Sequence, residues 1–170
     1  MERPVTGEFN PYFSRYINLV PEGSFYDLLR QNTEEVQSRF ESIPKGKENF
    51  AYATSKWTVN QMLLHMTDTE RVMSFWALLA SRGDREAECP NMDQDLFALN
   101  AEINGRDLAQ LLDEFLTVRK STVYLFENIS AEKSKWRVNV AGHSVSPRAL
   151  GYIIIGHAIH HLRILETRYL

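Results

Sequence analysis

Three of the five histidines in this sequence, His157, His160 and His161, fall in one short and otherwise apolar stretch, Gly156-His157-Ala158-Ile159-His160-His161. On a helix His157 and His161 stand i and i+4, so their rings project from one face a single turn apart. His160 lies about 100° from His161 around the axis and cannot easily join the pair on one ligand. Two neutral imidazoles at fixed separation are what a transition metal needs from a rigid element. The competing reading is that these histidines only satisfy polar contacts inside a helical core. The remaining histidines are His65 and His143.

The elements that must position these rings follow from periodicity and caps. A helix is predicted over 147–169, with Ser146 as N-cap and Pro147 at the first helical position. Gly151 and Gly156 each weaken it by up to about 1 kcal/mol relative to alanine. Glycines that a helix tolerates usually admit a close neighbour, so this helix should pack tightly where its histidines begin. His143 falls just before it, as an exposed loop histidine or one placed at a site entrance.

A second helix is predicted over 58–82, opened by a Thr58/Gln61 capping box with Trp57 and Met62 placed as a hydrophobic staple, and stopped at Gly83. Met62, Met66, Thr69, Val72, Met73, Trp76 and Leu79 form its buried stripe, and His65 faces inward on the edge of that stripe. At i+3, Asp68 is placed to orient the His65 ring from behind. Otherwise Asp68 and Glu70 share a solvated face with Arg71, a role that suits Glu70 better. Asp68, Glu70 and His160 are thus the candidates for support behind the ligands.

Two further helices complete the frame. One covers 24–43, with a capping-box-like start at Ser24 and Asp27 and a stripe of Phe25, Leu28, Leu29, Val36 and Phe40. The other covers 107–128, where Leu111, Leu112, Phe115, Val118, Thr122, Leu125 and Phe126 keep a 3.6 period. It brings no histidine or cysteine and reads as scaffold. Residues 1–22, with Pro4, Pro11 and Pro21, read as an arm whose aromatics cover the core. A loop is expected over 83–91, a short helix over 94–101, and a short extended piece through Trp136, Val138 and Val140. Four long amphipathic helices without a convincing sheet make an all-α four-helix bundle, one domain over 1–170. Bundles build metal sites from inward side chains on facing helices. His65, His157 and His161 then give three imidazoles from two helices, a ligand count that leaves positions open.

Composition narrows the function classes. A net charge of −3 without a basic stripe argues against nucleic acid as a partner. The lone cysteine, Cys89, rules out an intramolecular disulfide and fits a reducing compartment. Its neighbours Glu86 and Glu88 would raise its pKa, so it is a poor nucleophile. The opening Met1-Glu2-Arg3-Pro4 is no signal peptide, and the longest apolar run, Ala149 to Ile155, is too short to span a membrane. The expected location is cytoplasmic.

Two stretches of this sequence resemble the DinB-like family of four-helix metal-binding proteins. The first is Trp57-Thr58-Val59-Asn60-Gln61-Met62-Leu63-Leu64-His65-Met66-Thr67-Asp68-Thr69-Glu70, similar to the family's tryptophan, histidine and following acids on one helix. The second runs from Gly142-His143-Ser144-Val145-Ser146 to the closing H-x-x-x-H of His157 and His161. The resemblance implies a divalent metal, nickel or zinc, on His65, His157 and His161. It also implies a homodimer, and kinship with thiol-dependent enzymes such as bacillithiol transferases and mycothiol-dependent isomerases. The leading expectation is an enzyme that transfers a low-molecular-weight thiol to a small electrophile held in an apolar pocket near Trp57 and Trp76. The alternatives are a metal-dependent hydrolase using Asp68 or Glu70 as base, and a non-catalytic, metal-stabilised dimeric stress-response module.

Overall fold

Amphipathic stripes bury only against one another, and the four longest helices do so here. The computed structural model describes every residue except Arg85 and Asn104. After a 3-10 turn at Pro11–Phe13 come α1 (Ser14–Ile17), α2 (Phe25–Glu41), α3 (Val59–Arg82), β1 (Glu88–Cys89), α4 (Gln94–Asn100) and α5 (Leu108–Glu127). A second 3-10 turn at Lys133–Lys135 leads to β2 (Val138–Val140), β3 (His143–Val145) and α6 (Pro147–Arg168). Each of α2 and α3 packs against both α5 and α6. Helices α2 and α3, consecutive in sequence, therefore occupy opposite corners of a four-helix bundle. Among the described residues no helix is long and apolar enough to cross a membrane.

The caps show which local signals the chain uses. Thr58 accepts from the Gln61 N–H while the Gln61 side chain accepts from the Thr58 N–H, and Asp107 with Gln110 repeats the arrangement at α5. Ser24 is the N-cap of α2 but makes no side-chain cap bond, and Asp27 pairs with Arg30 instead, so the expected box does not form. The expected loop around Cys89 holds a strand: β1 pairs parallel with β2, and β2 turns antiparallel into β3. A two-residue strand carries too little pattern to be read from sequence.

The apolar core is two clusters. One gathers Phe25, Phe126, Leu150 and Ile153; the other gathers Phe40, Leu63, Phe115 and Leu162. Between Met66 and Met73 on α3, and between Ile155 and Ala158 on α6, the core is interrupted by buried Thr69, Glu70 and His157. The polar groups thus sit at the mid-height of the bundle, walled above and below by hydrocarbon.

The first residues do not simply lie extended over the core. Pro11 opens a 3-10 turn that continues into α1, because Asn10 caps the Tyr12 N–H and proline suits a first helical position. Tyr16 and Ile17 are buried against α6. Arg3 ties the arm to itself through the carbonyls of Ile17, Val20 and Pro21, and buried Arg148 and Ser146 hold Glu8.

Gly156 is what lets α1 settle there. A Cβ at that position would stand 2.1 Å from the Tyr16 carbonyl oxygen and 2.5 Å from its carbon, which are backbone atoms that cannot rotate aside. Gly156→Ala gains about 1 kcal/mol of helix propensity and loses about 1–3 kcal/mol to overpacking, with displacement of the arm. The variant should therefore melt below wild type in a thermal denaturation. An equal or higher melting temperature would show that α1 does not rest on the helix as described.

Candidate metal centre

His65 reaches the centre from α3, and His157 and His161 reach it from α6. All three are buried. Their Nε2 atoms converge: His157 Nε2 is 3.1 Å from His65 Nε2 and 3.0 Å from His161 Nε2. One ligand atom from each residue falls within 4.8 Å of the other two. A ring nitrogen offers a single in-plane site, so hydrogen bonding lets His157 Nε2 satisfy only one of its two neighbours. One cation satisfies all three. Nitrogens about 2.1 Å from a common ion stand about 3.0 Å apart at a right angle and about 3.4 Å apart at the tetrahedral angle. The observed spacing and the all-nitrogen donor set fit a divalent transition metal.

Burial keeps these rings neutral, which is the state a ligand requires. Removal from water pushes the His65 imidazole down to about 4, with a smaller contribution from nearby His160. Burial first, and the charges of the neighbouring histidines second, push His157 and His161 well below the usual range. In metal-free protein the consequence for stability has a definite sign. An unfolded histidine takes up its proton near pH 6.5, whereas folded His65 refuses it until about pH 4. Stability is fully present above the first value and is lost as the pH falls towards the second. Chelated wild type should therefore unfold at lower urea near pH 5 than near pH 7, and His65→Gln should flatten that slope. A urea midpoint independent of pH over this window would contradict the burial.

The side chains around the three histidines differ from expectation in three ways. Asp68 does not support His65: it pairs with Arg71 at 3.0 Å on the partly solvated side of α3. Thr69 Oγ1 stands 3.5 Å from His65 Nδ1 instead. Glu70 is the inward acid, 3% exposed, and both of its oxygens accept from the Arg119 guanidinium of α5. Arg119 is 1% exposed, also donates to Asn32, and shares a small void with Glu70, Thr69 and His157. The helix read as scaffold thus places a cation beside the centre. The signal was present in the sequence: Arg119 continues the Phe115–Thr122 stripe, and Glu70 lies in register between Met66 and Met73.

Trp57 lies with its ring centroid 4.4 Å from that of His65 and 6.4 Å from that of His161. Tyr169 holds it there by donating to the Trp57 carbonyl at 2.6 Å. Trp57 is therefore not in the cavity expected beside it. Tyr16 packs edge-on against both His157 and His160, so an arm aromatic does line the site as well as cover core. His160 is half-buried beside Tyr16 and His161, outside the converging trio.

His65 and His157 open onto a cavity of about 700 Å³, a size that suits a drug-like ligand. Trp76, Met73, Tyr12 and Phe13 form much of its wall, and exposed His143, the first residue of β3 rather than a loop residue, is part of it too. Cys89 is not part of that wall. It is buried in β1, where burial, then Asp84 and Glu88, push its thiol up.

The sequence profile of the DinB superfamily matches residues 28–165. No curated protein matches the chain closely enough in sequence to count as a relative. Among solved structures it is similar to YfiT from Bacillus subtilis, described as a probable metal-dependent hydrolase with an unusual four-helix bundle topology. The two are 13% identical with a TM-score of 0.69, over 95% of this chain and 87% of that one. At that identity the likeness carries the fold alone.

Proposed function

This chain belongs to the DinB superfamily, and on that premise we propose that it is a metal-dependent enzyme that transfers a low-molecular-weight thiol to a small electrophile. His65, His157 and His161 are its ligands, for nickel or zinc. The observation that carries this reading is three convergent, buried imidazoles, two of which, His65 and His157, line a cavity large enough for a substrate. A structural site is usually closed by four protein ligands, whereas three leave room for chemistry.

A divalent ion supplies Lewis acidity there, lowering the pKa of a coordinated thiol or water so that a nucleophile exists at neutral pH. The chain's own residues do the rest. Thr69 and Trp57 fix the His65 ring, Tyr16 fixes His157, and the Trp76 wall excludes water from the electrophile. Sulfur bonds to the electrophilic carbon, the leaving group departs with the bonding pair, and the thiol proton passes to solvent. No protein base is required, which matters because Asp68 and Glu70 are already paired with arginines. Hydrolysis is the second reading. It is favoured by the description of YfiT and by Asp93, a carboxylate on the cavity wall.

The test is a generic aromatic electrophile offered with and without small thiols to metal-loaded, metal-free and His157→Ala protein. Turnover should need both thiol and metal, and should plateau below the free thiol's pKa of about 8.5. Cys89→Ser should keep full rate. Turnover without thiol would establish hydrolysis, and loss of activity in Cys89→Ser with metal retained would overturn the mechanism. We further take the chain to act as a homodimer. The arm turns Tyr16 inward but leaves Val5 and Tyr12 exposed, and α4 presents exposed Leu96, Phe97 and Leu99 for a second copy to cover.

A further inference from the structure

Few groups on the cavity wall can move a proton. Among the described residues that line it, those that titrate are His65, His157, Tyr12, Tyr16, Asp93 and His143. The first two are committed to the metal. Burial pushes the Tyr16 hydroxyl up to about 12, and a phenol ordinarily keeps its proton near neutrality, so neither tyrosine is a ready acid. Asp93 Oδ1 accepts from the Leu96 N–H to cap α4, and a carboxyl group has ordinarily given up its proton at that pH. An imidazole both holds and releases a proton near neutrality. His143 carries one that stands outside the converging trio.

The sheet fixes where that ring can go. Strand β2 turns into β3 through Ala141 and Gly142, whose φ of 49° and 80° form the two-residue turn that matches a hairpin's twist. The Ala141 N–H donates to the Cys89 carbonyl at 2.8 Å and pins the turn to β1. Val140 then pairs with His143, and side chains alternate along a strand, so His143 shares a sheet face with Val140 and Val145. Both valines are buried in the cavity wall. His143 is exposed on the same wall, and its ring makes no hydrogen bond or ion pair with a described residue.

We propose that His143 is the general acid of this site, giving its ring proton to the leaving group of the electrophile. The inference rests on the reading of the cavity as the substrate site, and adds a residue to it. The nucleophile forms its bond to carbon from the side of His65 and His157. As the bond from carbon to the leaving group breaks, its electron pair stays on the leaving group and takes up the His143 proton. The neutral ring then recovers a proton from solvent, which balances the one the thiol released. An exposed ring suits this role because it must meet substrate and water in turn.

Two acetate esters test it, offered with 2-mercaptoethanol to zinc-loaded wild type and His143→Gln. 4-Nitrophenolate leaves without help, whereas phenolate, about as basic as that of tyrosine, needs a proton. His143→Gln should slow phenyl acetate by about 100-fold or more and 4-nitrophenyl acetate by less than about threefold. Equal losses would mean a structural role, and a larger loss with 4-nitrophenyl acetate would make the ring a nucleophile. Either result overturns the proposal, as does full rate in the variant or no turnover of either ester. Contact is read separately on chelated protein. The histidine ring NMR signal that is missing from His143→Gln should move when phenol is added, and an unmoved signal overturns the proposal. The two readings fail differently. Turnover that needs His143 but no thiol keeps the acid and removes thiol transfer, whereas thiol-dependent turnover indifferent to His143 does the reverse.

Discussion

Chelated and then titrated with zinc or nickel, wild-type protein should take up about one ion per chain, and His157→Ala should take up none at the same concentrations. His157 is the sharpest probe because its Nε2 is the nitrogen that both other rings approach, at 3.1 and 3.0 Å. Removing it leaves two imidazoles on different helices with nothing between them. Losing a residue behind a ligand costs about 10–100-fold in affinity, so losing a ligand should exceed about 100-fold. His65→Ala and His161→Ala should fail in the same way, Thr69→Val should weaken uptake about tenfold, and His143→Ala should match wild type. His160→Ala separates helix geometry from mere proximity. It is a neighbour of His161 in sequence and in space, yet its ring turns towards Tyr16. Full occupancy in the three ligand variants, or loss of metal in His160→Ala with retention in His161→Ala, would sink the site.

Arg119→Met should cost about 3–5 kcal/mol of stability, read as a large fall in the urea midpoint. The substitution is close in volume, so the loss comes from charge rather than from a hole. It strands the Glu70 carboxylate, 3% exposed, in a core that offers it no other described cation, and leaves the Asn32 oxygen without its donor. Desolvation makes an unpaired buried charge far more expensive than the pair was worth. For the same reason the double variant Glu70→Leu with Arg119→Met should be more stable than Arg119→Met alone. Additive losses in the double variant would show that the two groups do not compensate each other. The pair also borders His157, so metal affinity measured in the double variant reports whether it matters to the centre beyond holding α3 and α5 together.

Local chemistry in the sequence is enough to define four helices, the Thr58/Gln61 capping box, the Gly83 stop and the pairing of His157 with His161. Each is set by residues within about one turn of each other, where sterics and hydrogen bonds act without reference to the rest of the chain. It is enough, too, to turn His65 inward, because the stripe of α3 fixes its azimuth. The close packing at Gly156 is legible for a related reason: a helix keeps a destabilising residue only where its absent side chain makes room.

Whatever depends on which faces meet was decided by tertiary structure. Asp68 and Glu70 differ in azimuth by two residues, and although Glu70 shares the register of Met66 and Met73, only the docking of α5 supplied the cation that lets it be buried, because Arg119 arrives opposite it and not opposite Asp68. Trp57 and Trp76 are both aromatic neighbours of the α3 stripe. The tie of Tyr169 to the Trp57 carbonyl sent one to the back of the histidines and left the other facing the cavity. The short strand at Cys89 exists because β2 lies beside it, and the aromatic arm lines the site because a glycine on α6 admits it. These are contacts between positions far apart in the chain. Their free energy lies in complementary shape and charge brought together, which no local pattern encodes.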